Sequence, residues 1–402
     1  MTSVPMVKER SIDRLLQRQC ADRLQGIFEG RDFSPSAVRF VRDVARIRFG
    51  RDILAALEDA DLVIFQAEGT MTGAGFGVGL RLLLLPWLAK ALGKPLVAMN
   101  QTLFSQSEPF IGAVRGVLGA AEFLSVREPA SLDWAKASGL DRCRLVPDAA
   151  FMEPVSVPQP EDRFGVTGTA MSERFSTDIY LDVVASVARR TGLRPLFFCS
   201  TNADLKIVEA GRDRFPESQA LPVETDPAEV AAAMARCRFL MGGRYHMAIL
   251  AALSATPTLI LSTNTHKNLG LRRLFGCGPP VLAFPGDGET LPARAEELLR
   301  QETALRSKLG QRVDTIRAFL HDFGRDLRGN LSAVSSGNAF EMAKDFAPLL
   351  GDSGEAPVGK WGVHEIAIRT RPDARSKRTP FPFWWRLAGP FRKSIDLRHE
   401  RL

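Results

Sequence analysis

Arg238-Phe-Leu-Met-Gly-Gly-Arg-Tyr-His-Met-Ala-Ile-Leu-Ala-Ala-Leu253 passes from a short apolar run, through two glycines, into an unbroken helical apolar pattern. Strand, tight turn and helix in that order put Arg244 and His246 outside the carboxyl end of a strand. That is where an open parallel α/β sheet holds its ligands. A helix N-terminus at that place attracts anions through backbone N–H groups and the macrodipole. Arg244 adds a planar fork of donors suited to phosphate or carboxylate. His246 is the side chain best able to move a proton near neutral pH. Positions i and i+2 do not share a helix face, so both reach one ligand only if they occupy the turn and the first helical residue. The stretch reads as anion handling coupled to proton transfer.

Outward from this stretch, the chain alternates. Residues 11–28 and 35–59 have helical spacing, and 61–66 read as a buried strand. A turn carrying Gly69, Gly73, Gly75, Gly77 and Gly79 leads into a helix to about residue 92. These glycines do not spell G-x-G-x-x-G, which argues against a dinucleotide site. Strands are expected at 95–100, 122–127 and 143–148, with a helix over 129–138. Pro154, Pro158 and Pro160 mark residues 153–162 as a linker. The pattern then restarts, with strands expected at 163–169, 194–200, 219–223, 237–241, 256–262 and 280–284. A long amphipathic helix is expected over 292–320. Strands alternating with helices imply parallel, doubly wound sheets. The expectation is an α/β protein of two Rossmann-like domains, 1–152 and 163–350, facing each other across a cleft, followed by a tail at 351–402.

Composition bounds the partners. Of 402 residues, 45% are apolar and 25% charged, the balance of a globular protein. No apolar run approaches the roughly 20 residues of a membrane span. The polar N-terminus does not read as a secretory signal. The five cysteines are far apart with no C-x-x-C, which points to a reducing compartment and away from a disulfide or zinc framework. A cytoplasmic location is expected. The net charge of +7 resides in residues 369–402, so the body is neutral and nucleic acid is not expected as a partner.

Four segments, Ser125-Val-Arg-Glu-Pro-Ala-Ser, Leu145-Val-Pro-Asp-Ala-Ala-Phe, Gly242-Gly-Arg-Tyr-His-Met-Ala-Ile-Leu-Ala-Ala and Leu261-Ser-Thr-Asn-Thr-His-Lys, occur in that order. In these the chain resembles the polysaccharide pyruvyl transferase family over roughly residues 60–280. The resemblance implies a fold like the two-domain glycosyltransferases of the B type, with acceptor on the N-terminal side and donor on the C-terminal side. It implies transfer of pyruvate from phosphoenolpyruvate onto two sugar hydroxyls, forming a ketal in cell-surface polysaccharide assembly. Phosphoenolpyruvate is then a co-substrate, and neither cofactor nor metal is expected. The family's phosphoenolpyruvate-binding positions fall on Arg127, Arg244 and His246. Two features differ: polar helices stand where members open with a strand and an Asn-x-Gly-Asp turn, and the usual triple glycine is Ala67-Glu-Gly.

Phosphoenolpyruvate carries a carboxylate and a phosphate on one small frame. Two arginines clamping these anions would fix the plane of the enol. His246 is open as acid, base or phosphate partner. Asn264, His266 and Lys267 follow another expected strand and open another helix; Lys267 is assigned to phosphoenolpyruvate, and the other two border the site or cap the helix. Glu68 and Thr70 are expected on the acceptor side, and Asn100, at the end of a strand, is expected to face the cleft. Asp148 reads as structural.

Two other readings remain. A glycosyltransferase of the same architecture would use a nucleotide-sugar and an acidic pair matched by Glu289 and Glu297. A non-catalytic peripheral-membrane protein would use the tail, where residues 375–393 mix cations with Phe381, Phe383, Trp384, Trp385 and Phe391. Such a segment suits the anionic inner face of a membrane, equally for an enzyme whose acceptor is a lipid-linked oligosaccharide.

Overall fold

A computed structural model describes residues 6–350 except 72–78, 154–158, 171, 173–174, 224 and 336–339. The tail at 351–402, most of the glycine-rich turn and the middle of the expected linker lie outside the described residues. The chain divides into two compact units. Among the described residues, one comprises the chain through Asp148 and its return from Phe319. The other is Ala149–Ala318.

The first unit opens with α1 (Met6–Gly30), α2 (Pro35–Phe49) and α3 (Arg51–Asp59). Leu16, Ala21, Leu24, Ile27 and Phe28 give α1 one buried stripe at helical spacing. The single helix expected over 35–59 is two. Ser34 caps α2 by accepting from the Ala37 N–H, with Pro35 at the first turn. Gly50, at φ 91°, ends it with its N–H on the Arg46 carbonyl.

Strands β1 (Val63–Phe65), β2 (Glu68–Met71), β3 (Leu96–Leu103), β4 (Phe123–Val126) and β5 (Arg144–Leu145) form a parallel sheet in the order β1-β3-β4-β5. Strand β2 also pairs with β3, farther along it than β1. This strand lies inside the stretch expected to be a turn. Helices α4 (Leu80–Ala91), α5 (Glu108–Leu118) and α6 (Pro129–Ala137) connect the later strands. Every residue of β3 is buried, as a strand covered on both faces requires. The ring of Phe123 in β4 meets Phe323 and Phe340.

Helix α1 lies against α5 at Gly112 and Gly116. A Cβ at Gly116 would fall inside contact distance of the Phe28 carbonyl oxygen, and one at Gly112 would meet the Glu29 carboxylate. Backbone cannot yield as a side chain can. Gly116→Ala is therefore expected to lower unfolding free energy by about 1–3 kcal/mol, read by denaturant titration. An unchanged midpoint would show that α1 does not pack this closely.

The second unit is built on β6 (Arg163–Thr169), β7 (Arg194–Phe198), β8 (Ala220–Leu221), β9 (Leu240–Gly243) and β10 (Thr258–Ile260), parallel throughout in the order β10-β9-β6-β7-β8. The chain runs outward from central β6 to β8, then returns to lay β9 on the other side. Its topological switch point is therefore between β6 and β9. Helices α7 (Thr177–Thr191), α8 (Leu205–Arg214), α9 (Pro227–Ala235), α10 (Tyr245–Leu253) and α11 (Lys267–Phe275) make the connections. The strand expected at 280–284 is only a bridge, Leu282 to Leu261; Pro279, Pro280 and Pro285 remove the donors a longer ladder needs.

The long helix expected over 292–320 is again two, α12 (Leu291–Arg300) and α13 (Glu302–Ser335). Leu305, Leu309, Val313, Ile316, Leu320, Phe323 and Leu327 form one buried stripe along α13. The division between the units falls within this helix, whereas the expected second domain runs on to residue 350.

Candidate active site

The switch point of the second sheet positions the most chemically equipped cluster. Here β9 passes close to β6: a Cβ on Gly242 would collide with the Thr167 hydroxyl, and one on Gly243 would lie 2.7 Å from the Thr169 Cβ. The two glycines thus allow the strands to converge and set the next residue at the sheet's edge. That residue is Arg244, the N-cap of α10. No side chain caps this helix, and its first ladder bond runs from the Ala248 N–H to the Arg244 carbonyl. The amides of Tyr245, His246 and Met247 therefore lie at the positive end of the helix dipole.

The Arg244 guanidinium is held by a buried carboxylate. Its Nε lies 3.1 and 3.0 Å from the two oxygens of Asp204, and Nη2 lies 2.6 Å from Oδ1 and 2.9 Å from the Thr201 Oγ1. Nη1 takes no part in this pairing. Asp204 is fully buried and also accepts from the Ser200 and Thr201 amides. Thr201 and Asp204 form a capping box on the short turn after β7. Beneath them the Tyr180 hydroxyl donates to the Thr167 carbonyl at 2.7 Å. Burial, and secondarily the Asp204 charge, push its phenol far above the ordinary range. Sequence reasoning missed Asp204 and Thr201, although Thr201-Asn-Ala-Asp204 is a legible capping signature directly after a strand.

His246 is the second residue of α10, buried, with its ring edge-on to Tyr245 at 5.3 Å between centroids. Arg244 thus ends the turn, and His246 lies one position beyond the first helical residue. The loop after β10 lies alongside. Asn268 in α11 donates to the carbonyls of Gly243 at 3.1 Å and Leu261 at 2.7 Å, tying the Arg244 turn to residues 261–267. Asn268 was also missed. Within that loop His266 is buried, while Asn264 and Lys267 are partly exposed, Lys267 as the first residue of α11.

The remaining expected residues belong to the first unit. Arg127, after β4, is only 2% exposed; its Nη1 donates to Asp148 at 2.8 Å and its Nε to the Thr102 hydroxyl at 3.1 Å. Glu128 bonds Thr102 and Ser131 beside it. This guanidinium joins the ends of β3, β4 and β5 and does not face solvent as a clamp would, and Asp148 serves it as the structural partner. Asn100 and Glu68 both adopt left-handed backbone, φ 54° and 49°, a strain that concentrates at functional strand ends. Asn100 is buried, and its Oδ1 has no hydrogen-bond partner among the described residues. Thr70 is in β2, but its side chain lies outside the described residues.

The family model for polysaccharide pyruvyl transferase matches residues 8–265. The chain belongs to this family. The match spans all ten strands and ends immediately before His266. No curated protein matches the chain. Among solved structures, it is similar to a UDP-glucosyltransferase from Polygonum tinctorium, at 12% identity over 71% of this chain and 77% of that one, with a TM-score of 0.45. The O. sativa protein solved with UDP and deoxynivalenol-3-glucoside gives 12%, 73%, 82% and 0.45 in the same terms. HepE of Anabaena in complex with UDP-glucose gives 13%, 68%, 80% and 0.44. Likeness of this degree says nothing about substrates. As a member of a transferase family the chain has a saccharide acceptor as its class of partner. No helix among the described residues is long and apolar enough to cross a membrane.

Proposed function

We propose that this family member transfers pyruvate from phosphoenolpyruvate to two hydroxyls of a sugar, as a ketal, in cell-surface polysaccharide biosynthesis. The observation that carries the reading is Arg244, fixed in orientation at the start of an uncapped helix at the switch point of its sheet. Nη1 of Arg244, the first amides of α10 and the Lys267 ammonium offer the positive groups for one anionic end of the donor. One sugar hydroxyl adds to the central carbon as a proton is delivered to the methylene. Phosphate then leaves, and the second hydroxyl closes the ketal, giving up its proton. His246 is the group proposed to carry a proton in this sequence. Arg127 is proposed to act from behind, by ordering the strand ends of its own unit.

The nucleotide-sugar reading gains no support from its acidic pair. Glu297 is paired with Arg294 at 3.0 Å on the outer face of α12, and Glu289 is exposed on a separate turn. The proposed reaction is a cytoplasmic one, at the inner face of the membrane where the acceptor is lipid-linked. Phosphate release from phosphoenolpyruvate should depend on added acceptor when a panel of lipid-linked saccharides is assayed. Sugar transfer from a nucleotide donor, without pyruvyl transfer, would refute the proposal.

A further inference from the structure

We infer that Asp204 is a positioning residue that sets which edge of Arg244 meets the ligand and trims the charge the ligand meets. The inference rests on the proposed anion site at Arg244 and extends it to a residue outside the turn. A free arginine can grip an anion bidentately along its Nε–Nη2 edge or its Nη1–Nη2 edge. Here Asp204 spans Nε and Nη2, which takes the first edge, and Thr201 takes a further contact from Nη2, which spoils the second. The ligand is left with Nη1. The guanidinium plane is then fixed before binding, so little rotamer freedom remains to be lost when the donor arrives.

The surrounding chain is shaped for this pair. Gly168, near the end of β6, leaves room for Asp204; a Cβ there would strike its Oδ1 and lie 2.7 Å from the Ser172 hydroxyl. Asp204 is itself anchored by two backbone amides, so it does not follow Arg244 if the arginine moves. Its carboxylate also neutralises the guanidinium, leaving capture of the anion to α10, Lys267 and the one remaining edge. A site that must release phosphate after each turnover benefits from that moderation.

Asp204→Asn keeps an oxygen for the two amides while removing the charge and one half of the grip. The expected result is a split. The kcat should fall by about 10- to 100-fold, the scale of a misplaced catalytic group. KM for phosphoenolpyruvate should not rise, and inorganic phosphate should inhibit at lower concentration because the site has become more positive. Gly168→Ala, which displaces the carboxylate without deleting it, should also lower kcat without raising KM.

A readout independent of turnover is the rate at which phenylglyoxal modifies Arg244, located by mass spectrometry in folded protein. It should increase in both variants. Unaltered kcat, or kcat loss with weaker phosphate binding and a matching loss of folded protein, would make Asp204 merely structural. If the wild-type chain turns over no phosphoenolpyruvate, the proposed function fails by itself. The labelling rates then decide the Asp204–Arg244 assignment alone, with unchanged rates overturning it.

Discussion

Arg244→Ala is expected to reduce kcat/KM for phosphoenolpyruvate by about 10²–10³-fold, the scale of losing one preorganised donor at an anionic centre. It should also cost stability. Asp204 is fully buried, and removing its partner leaves an unpaired charge, at about 3–5 kcal/mol for such pairs. The two effects are separable, because activity per folded molecule can be measured below the unfolding transition. Arg244→Lys keeps the charge but has no planar fork to span both Asp204 oxygens and reach Thr201. It should recover much of the stability and little of the activity. Full activity in the lysine variant would mean that charge alone matters at this position, and the account of a guanidinium held edge-on would be wrong.

His246→Ala is expected to lower kcat by about 10²–10⁴-fold, the range of a lost general acid or base, with a much smaller change in KM. The substitution sits in the first turn of α10, where alanine is a good helix former, so the fold should persist. His246→Gln separates proton carriage from hydrogen bonding. Glutamine can donate to a phosphate oxygen but cannot relay a proton. Loss in both variants, with one limb of the pH–rate profile flattened, supports proton transfer. Recovery in the glutamine variant reassigns His246 as a phosphate ligand. Unchanged turnover in both would remove it from the mechanism.

Some elements are legible in the sequence and others are not. The run from Arg238 to Leu253 was legible because its strand is apolar, its turn is two glycines and its helix is continuous. The structure places β9, the Arg244 cap and α10 within it. The parallel alternation was legible for the same reason. Breaks inside helical patterns were harder to see. Gly50 is a visible breaker between α2 and α3, but Gln301, between α12 and α13, carries no such mark. Short β2 hid in a glycine-rich stretch because it has one apolar residue in four.

The site was legible only where one residue's local context determines its place. Arg244 needs only the strand and helix flanking it. The pairing of Arg244 with Asp204 depends on β6 and β7 lying side by side next to β9, a property of strand order that no local pattern encodes. Arg127 shows the same limit from the other side. Local sequence offers only its neighbour Glu128, whose carboxylate lies 3.7 Å from its Nε. The register of β4 on β5 adds Asp148 from 21 positions away, and all three side chains lie in the interior.

Calorimetric titration of phosphoenolpyruvate into the wild-type and Arg244→Ala proteins tests the central claim most directly. The account predicts one binding event per wild-type chain, its loss in the variant while the variant remains folded, and no comparable heat from a nucleotide-sugar. Equal binding of phosphoenolpyruvate by both proteins, or binding of the nucleotide-sugar in its place, would contradict it.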